Sequence, residues 1–126
     1  MKRTGPAFSI YISILFLLTI LPINSSDNSL INNTFILEVR LDYLLHALLY
    51  FPWLFLAVKA TKAGHIIALL YGLLFAAGTE VLQLLLPYRT FNINDLLANV
   101  LGLLSGLILV IPFGSDLHFR LFRNGK

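Results

Sequence analysis

The sequence predicts an all-α membrane protein in which four transmembrane helices form one compact bundle with both termini cytoplasmic. Three observations carry this expectation. Of the 126 residues, 58% are hydrophobic and 12% charged, and the mean hydropathy is +0.85, beyond the usual range of soluble domains. The apolar residues gather into four stretches, each near the ~20 residues that a hydrocarbon core requires. The Lys and Arg residues are distributed unevenly over the segments between those stretches.

A single domain, residues 1–126, accounts for the whole pattern. The first helix is expected over about residues 7–23, after Lys2 and Arg3. A basic start followed by an apolar run also resembles a secretory signal, but this run is longer than a signal core and no small-x-small cleavage site follows, so an uncleaved helix is expected. A polar loop, "NSSDNSLINNTFILEVR", comes next. Its sequons at Asn24 and Asn32 carry no weight in so Asn- and Ser-rich a segment. The second helix is expected over about 41–58, the third over 66–86 and the fourth over 96–113, with Pro22, Pro87 and Pro112 marking three of the ends. Tight connections run from Lys59 to His65 and from Pro87 to Asn94.

Orientation follows from the basic residues. A cytoplasmic N-terminus puts Lys2, Arg3, Lys59, Lys62, Arg120, Arg123 and Lys126 inside and Arg40 and Arg89 outside, seven against two. The net charge of +3 and pI near 9.5 therefore reflect cytoplasmic flanks, and no nucleic-acid partner is expected. The tail "GSDLHFRLFRNGK" alternates apolar and basic residues, suited to an anionic inner leaflet. There is no cysteine, which excludes disulfides, thiolate metal sites and a cysteine nucleophile.

With this topology, six polar residues converge in the outer half of the bilayer. Asp42 and His46 are one turn apart at the start of the second helix, Glu80 and Gln83 share a face near the end of the third, and Asp95 and Asn99 open the fourth. Asp95 and Asn99 continue into Gly102 and Gly106, and Glu80 continues Gly72 and Ala76, so each polar face runs into a stripe of small residues that lets helices approach closely. An acidic side chain in a helix centre costs on the order of 2.5 to 3.5 kcal/mol on insertion scales, so such residues face the protein interior and find partners. Glu80 is expected to contact His46, Arg89 or Asn99.

The ordered set "DYLLHALLYF" followed by "GTEVLQLLLPYRTFNINDLLANVLGLLSG" resembles the VanZ-like family of small bacterial membrane proteins. The family pattern is Asp-x-x-x-His, then Glu-x-x-Gln, an Arg in the turn, and Asp-x-x-x-Asn-x-x-Gly-x-x-x-Gly. By position it falls on Asp42, His46, Glu80, Gln83, Arg89, Asp95, Asn99, Gly102 and Gly106. The resemblance implies a cytoplasmic-membrane protein acting at the outer leaflet, in the context of low-level resistance to teicoplanin-type glycopeptide antibiotics. The partners it implies are a membrane lipid or lipid-linked envelope precursor and the glycopeptide itself; a homo-oligomer is compatible with the sequence.

Three roles for the cluster stay open at this point. It can hold the bundle together as an interhelical network, bind a headgroup or antibiotic, or supply the acid and base of a membrane-embedded hydrolase or transferase. No Gly-x-Ser-x-Gly elbow, His-Glu-x-x-His pair or phosphate loop is present. No cofactor is expected and no metal is assigned: Asp42, His46, Glu80 and Asp95 are ligand types able to hold a divalent cation, which leaves metal binding open beside catalysis, but one carboxylate per helix is sparser than the spacing by which metal sites declare themselves. The inner half is almost wholly apolar, which argues against transport by a monomer.

Overall fold

The computed structural model describes residues 4–21, 35–36, 39–89 and 91–123, with side chains described for 4–21, 41–89 and 91–111. The sequons at Asn24 and Asn32, Pro22, the side chain of Arg40 and the side chains of the tail lie outside the described residues. The chain is all-helical in its architecture: α1 (Gly5–Ile20), α2 (Leu41–Tyr50), α3 (Trp53–Thr61), α4 (His65–Gln83) and α5 (Ile93–Arg123). These are the four expected helices, with the second divided into α2 and α3.

The division falls at Phe51 and Pro52. A proline has no amide hydrogen to donate and its ring crowds the carbonyl one turn back, so regular winding stops there. The backbone bonds Phe51 N–H to Ala47 O and Leu56 N–H to Pro52 O, both 3.0 Å, keep the chain on nearly the same course. Leu41–Thr61 thus still forms a 21-residue apolar span, alongside His65–Gln83 and Ile93–Ile111 of 19 residues each; all three are long and apolar enough to cross a membrane. The first helix has 16 residues, about 24 Å at 1.5 Å per residue.

Two further differences from the expected boundaries have local causes. After Gln83 the chain tightens into i→i+3 bonds, Leu84 N–H to Val81 O, Leu85 N–H to Leu82 O and Leu86 N–H to Gln83 O, as helices often do at their ends. The fourth helix does not stop near Phe113 but continues through Pro112 to Arg123; proline removes one donor without forbidding a helical path. A two-residue antiparallel ladder, β1 (Phe35–Ile36) with β2 (Val39–Arg40), precedes α2 and pairs Phe35 with Arg40.

Packing places α5 against α2, α3 and α4, with α1 on the α3 and α4 side. Close approach is written in the small residues. A Cβ on Gly102 would collide with the Ala47 carbonyl of α2, and one on Gly106 would collide with the Phe51 carbonyl. A Cβ on Gly72 would lie 2.7 Å from Trp53 Nε1 and 2.7 Å from Leu103 Cδ2. Ala76 is fully buried. The buried face of α4, Ala68, Gly72, Ala76, Thr79, Glu80 and Gln83, repeats every three or four residues, so the helix turns one continuous stripe toward the core.

The bundle has two distinct ends. Thr4 Oγ1 donates to Lys59 O at 2.8 Å, bringing the start of α1 to the end of α3. At the opposite end Tyr88 Oη donates to Ile20 O at 2.9 Å and Arg89 Nη2 to Leu18 O at 2.8 Å. The loop before α5 thereby supplies donors to carbonyls that the end of α1 leaves without helical partners.

Candidate functional site

The start of α2, the end of α4 and the start of α5 meet at the end of the bundle that carries Tyr88 and Arg89. Every polar residue expected to cluster there comes from one of these segments. At the centre, Asn99 Nδ2 donates to Glu80 Oε1 at 3.3 Å, and Asn99 Oδ1 lies 3.1 Å from His46 Nδ1. Glu80 and Asn99 are each 1% exposed. Glu80 therefore meets Asn99 directly and reaches His46 through it, so α4, α5 and α2 are joined by a single chain of hydrogen bonds.

That chain orients the His46 ring. The Asn99 amide nitrogen must face the Glu80 carboxylate, because its oxygen there would set acceptor against acceptor. Asn99 then offers its oxygen to the imidazole, and Nδ1–H is the donor. Nε2 lies 3.9 Å from Asp95 Oδ2, beyond hydrogen-bond distance. Asp42, His46 and Asp95 each present a ligand atom within 4.8 Å of the others. Their sparse spacing along the chain becomes a dense group in space. The His46 and Asp95 side chains are 27% and 13% exposed, so the cluster is sealed at Glu80 and open toward His46.

Asp95 is held by the local fold of the α5 start. Asn92 caps the helix, its Oδ1 accepting Asn94 N–H at 3.1 Å while its Nδ2 donates to Asp95 Oδ1 at 3.0 Å. A carboxylate in the first turn also faces the positive end of the helix dipole. The side-chain bond from Asn92 to Asp95 is the detail that sequence reading left out, although an Asn three residues before an acidic residue at a helix start is a capping signal. Asn94 Nδ2 reaches Tyr43 Oη at 3.3 Å, adding a second tie between α5 and α2.

Arg89 is in electrostatic range of Glu80, but its Nη2 hydrogen bond goes to α1. Gln83 is 6% exposed on the same buried stripe as Glu80. One turn toward the bundle centre, Tyr50 Oη and Thr79 Oγ1 are 3.1 Å apart and Thr79 Oγ1 donates to Ala76 O at 2.9 Å. Tyr50 and Thr79 extend the polar network below the expected six residues. Gly102, Gly106 and Gly72 lie where their helices approach neighbours closely, and Ala76 is buried. Glu80 Oε2 and Arg89 Nε are buried with no hydrogen-bond partner.

Comparison with curated proteins and with solved structures returns no match. The family model VanZ/LLP1 matches residues 8–115, which includes all four expected helices and every residue of the polar cluster. With its apolar spans and its buried polar end, this chain is a membrane protein that belongs to the VanZ/LLP1 family.

Proposed function

We propose that this protein acts at the outer leaflet of a bacterial cytoplasmic membrane. There its polar end binds the headgroup of a lipid or lipid-linked envelope precursor, or a lipid-anchoring glycopeptide of the teicoplanin type, and lowers the effect of the antibiotic. The orientation rests on the Lys and Arg distribution, which puts both termini in the cytoplasm. The observation that carries the reading is the graded burial of the cluster. Glu80 and Asn99 are closed off inside the bundle, while His46 and Asp95 reach its polar end. A network serving only to hold helices together gains nothing from leaving its imidazole 27% exposed. A binding site requires such an opening.

The test is teicoplanin susceptibility of a sensitive host carrying wild type, Glu80→Gln, Asp95→Asn or empty vector, with membrane levels checked by immunoblot and envelope lipids profiled. Wild type is expected to reduce susceptibility, and the amides to keep part of that effect, because they retain hydrogen bonding while losing charge. Complete loss with one amide, with ligand binding retained, identifies that carboxylate as a general acid or base and makes the protein an enzyme. Inserted wild-type protein that changes neither susceptibility nor lipid profile sinks the proposal.

A further inference from the structure

We propose that the groove between α1, α3 and α4, in the half of the bundle away from the polar cluster, binds an acyl chain of an anionic phospholipid of the cytoplasmic leaflet, with the headgroup at the α3–α4 connection. The site is separate from the polar end and shares with its reading only the orientation given by Lys and Arg.

Shape supplies the first argument. The groove has a volume of about 290 Å3, and its walls are Phe8 and Ile12 of α1, Trp53 and Ala57 of α3, and Ala68 and Phe75 of α4. Thr61 and Tyr71, both exposed, form its rim. From Trp53 to Thr61 it runs about 12 Å along α3, at 1.5 Å per residue. A helix of that length, about 10 Å across, would need roughly three times the volume, so the space fits a slender hydrocarbon chain and not a helix of another protein. Two contacts hold α1 in place beside it: Thr4 Oγ1 donates to Lys59 O and Tyr11 Oη donates to Leu49 O. Flanked by these anchors, α1 does not collapse onto the small side chains of Ala57 and Ala68. An empty groove forfeits dispersion contacts along its lining, and within a bilayer the material that restores them is a lipid tail.

The lining supplies the second. Trp53 Nε1–H is committed to Ala68 O at 2.9 Å and Thr61 Oγ1 to Ala57 O at 2.8 Å. With those donors occupied, the walls present methyl groups and ring faces, which select an apolar chain over a polar ligand.

Charge supplies the third. Lys62 lies in the connection that joins the two walls α3 and α4, next to Thr61, in the left-handed conformation (φ 57°) that turns the chain back. Lys59 is exposed in the last turn of α3, with its Nζ 3.9 Å from the centroid of the Phe55 ring. Among the described side chains, the carboxylates Asp42, Glu80 and Asp95 all belong to the polar end, so the lysines give the groove's end a positive field. The cytoplasmic leaflet provides the anionic headgroups that such residues attract.

The experiment uses the single tryptophan of the chain, Trp53. It lines the groove and is only 3% exposed, so a quencher carried on a lipid tail reaches it by entering the groove. The purified full-length protein is placed in phosphatidylcholine nanodiscs that contain an increasing share of phosphatidylglycerol or phosphatidylcholine with brominated acyl chains, and its fluorescence is followed. Quenching should saturate, and half-saturation should come at about fivefold lower content of brominated phosphatidylglycerol than of brominated phosphatidylcholine, the effect of one basic residue at an anionic surface. Thr61→Phe at the rim and Ile12→Phe in the wall each fill the groove and should remove most of the quenching; either serves if the other misfolds, with helicity checked by circular dichroism. Lys59→Gln/Lys62→Asn should keep the quenching and lose the headgroup preference, asparagine being suited to the left-handed position. Unquenched wild type overturns the proposal, whether it is monomeric or a dimer with a second copy over the groove. Equal half-saturation for the two lipids, or quenching that a folded filling variant leaves unchanged, overturns it as well.

Discussion

The polar end of the bundle and the aromatic layer beneath it join overlapping sets of helices by opposite means. At the polar end, contact is made through hydrogen bonds between Glu80, Asn99 and His46. In the aromatic layer Trp53 stacks on Phe75 at 5.2 Å between centroids and meets Phe8 edge-on at 5.4 Å, with Tyr50 and Tyr11 at 6.3 and 6.1 Å. Its indole N–H donates to Ala68 O at 2.9 Å, a carbonyl it reaches because Gly72 leaves room beside it. In lipid, helix association draws on van der Waals packing, and single interhelical hydrogen bonds average only about 0.6 kcal/mol. The aromatic layer thus contributes more to stability than the hydrogen bonds of the polar end. The costly burial of polar groups at the other end adds little to it, which points to a use beyond adhesion.

The sharpest way to break this contrast is Trp53→Ala. It removes the central ring of the layer and should cost about 3 to 5 kcal/mol, measured by denaturant unfolding in mixed micelles. A loss below that of a polar-end variant would reverse the assignment of stability to the aromatic layer. Gly102→Val comes next, since any Cβ there meets the Ala47 backbone and not a flexible side chain. Overpacking should cost about 3 kcal/mol, and unfolding at wild-type denaturant concentrations would show that α2 and α5 can separate freely. Asn99→Ala should cost only about 1 kcal/mol while removing most of the functional effect; the pair of measurements separates the two ends directly. Tyr88→Phe is the smallest change. It deletes one donor to Ile20 O and should shift stability by less than about 0.6 kcal/mol.

Much of this arrangement was legible in the sequence, for reasons that differ between elements. The spans follow from hydrocarbon thickness, and helix periodicity alone brings Asp42 beside His46, Glu80 beside Gln83 and Asp95 beside Asn99. The antiparallel order of successive spans then carries all three pairs to one end. Other features depend on information that periodicity does not hold. The break at Pro52 lay inside an apolar run whose length suggested one uninterrupted helix, although proline chemistry announces it. Arg89 was a natural partner for Glu80 by charge, yet its Nη2 donates to the end of α1, because free helix carbonyls compete for guanidinium donors. The aromatic layer draws on α1, α2, α3 and α4, so its composition is a property of packing and not of any single segment. The two-residue ladder before α2 also escaped notice within a stretch read as polar loop.

The hold of Tyr88 and Arg89 on α1 has a consequence for biogenesis. Their partner carbonyls, Ile20 and Leu18, precede them in the chain by 68 and 71 residues. On the ribosome, α1 is made first, but its final backbone partners emerge only after the third span has been synthesised. The first helix must therefore enter the bilayer with that end satisfied by water or headgroups and exchange those contacts later. Closure of the polar end is a late event in assembly, and a nascent chain arrested before Tyr88 would hold an inserted first helix still waiting for its clasp.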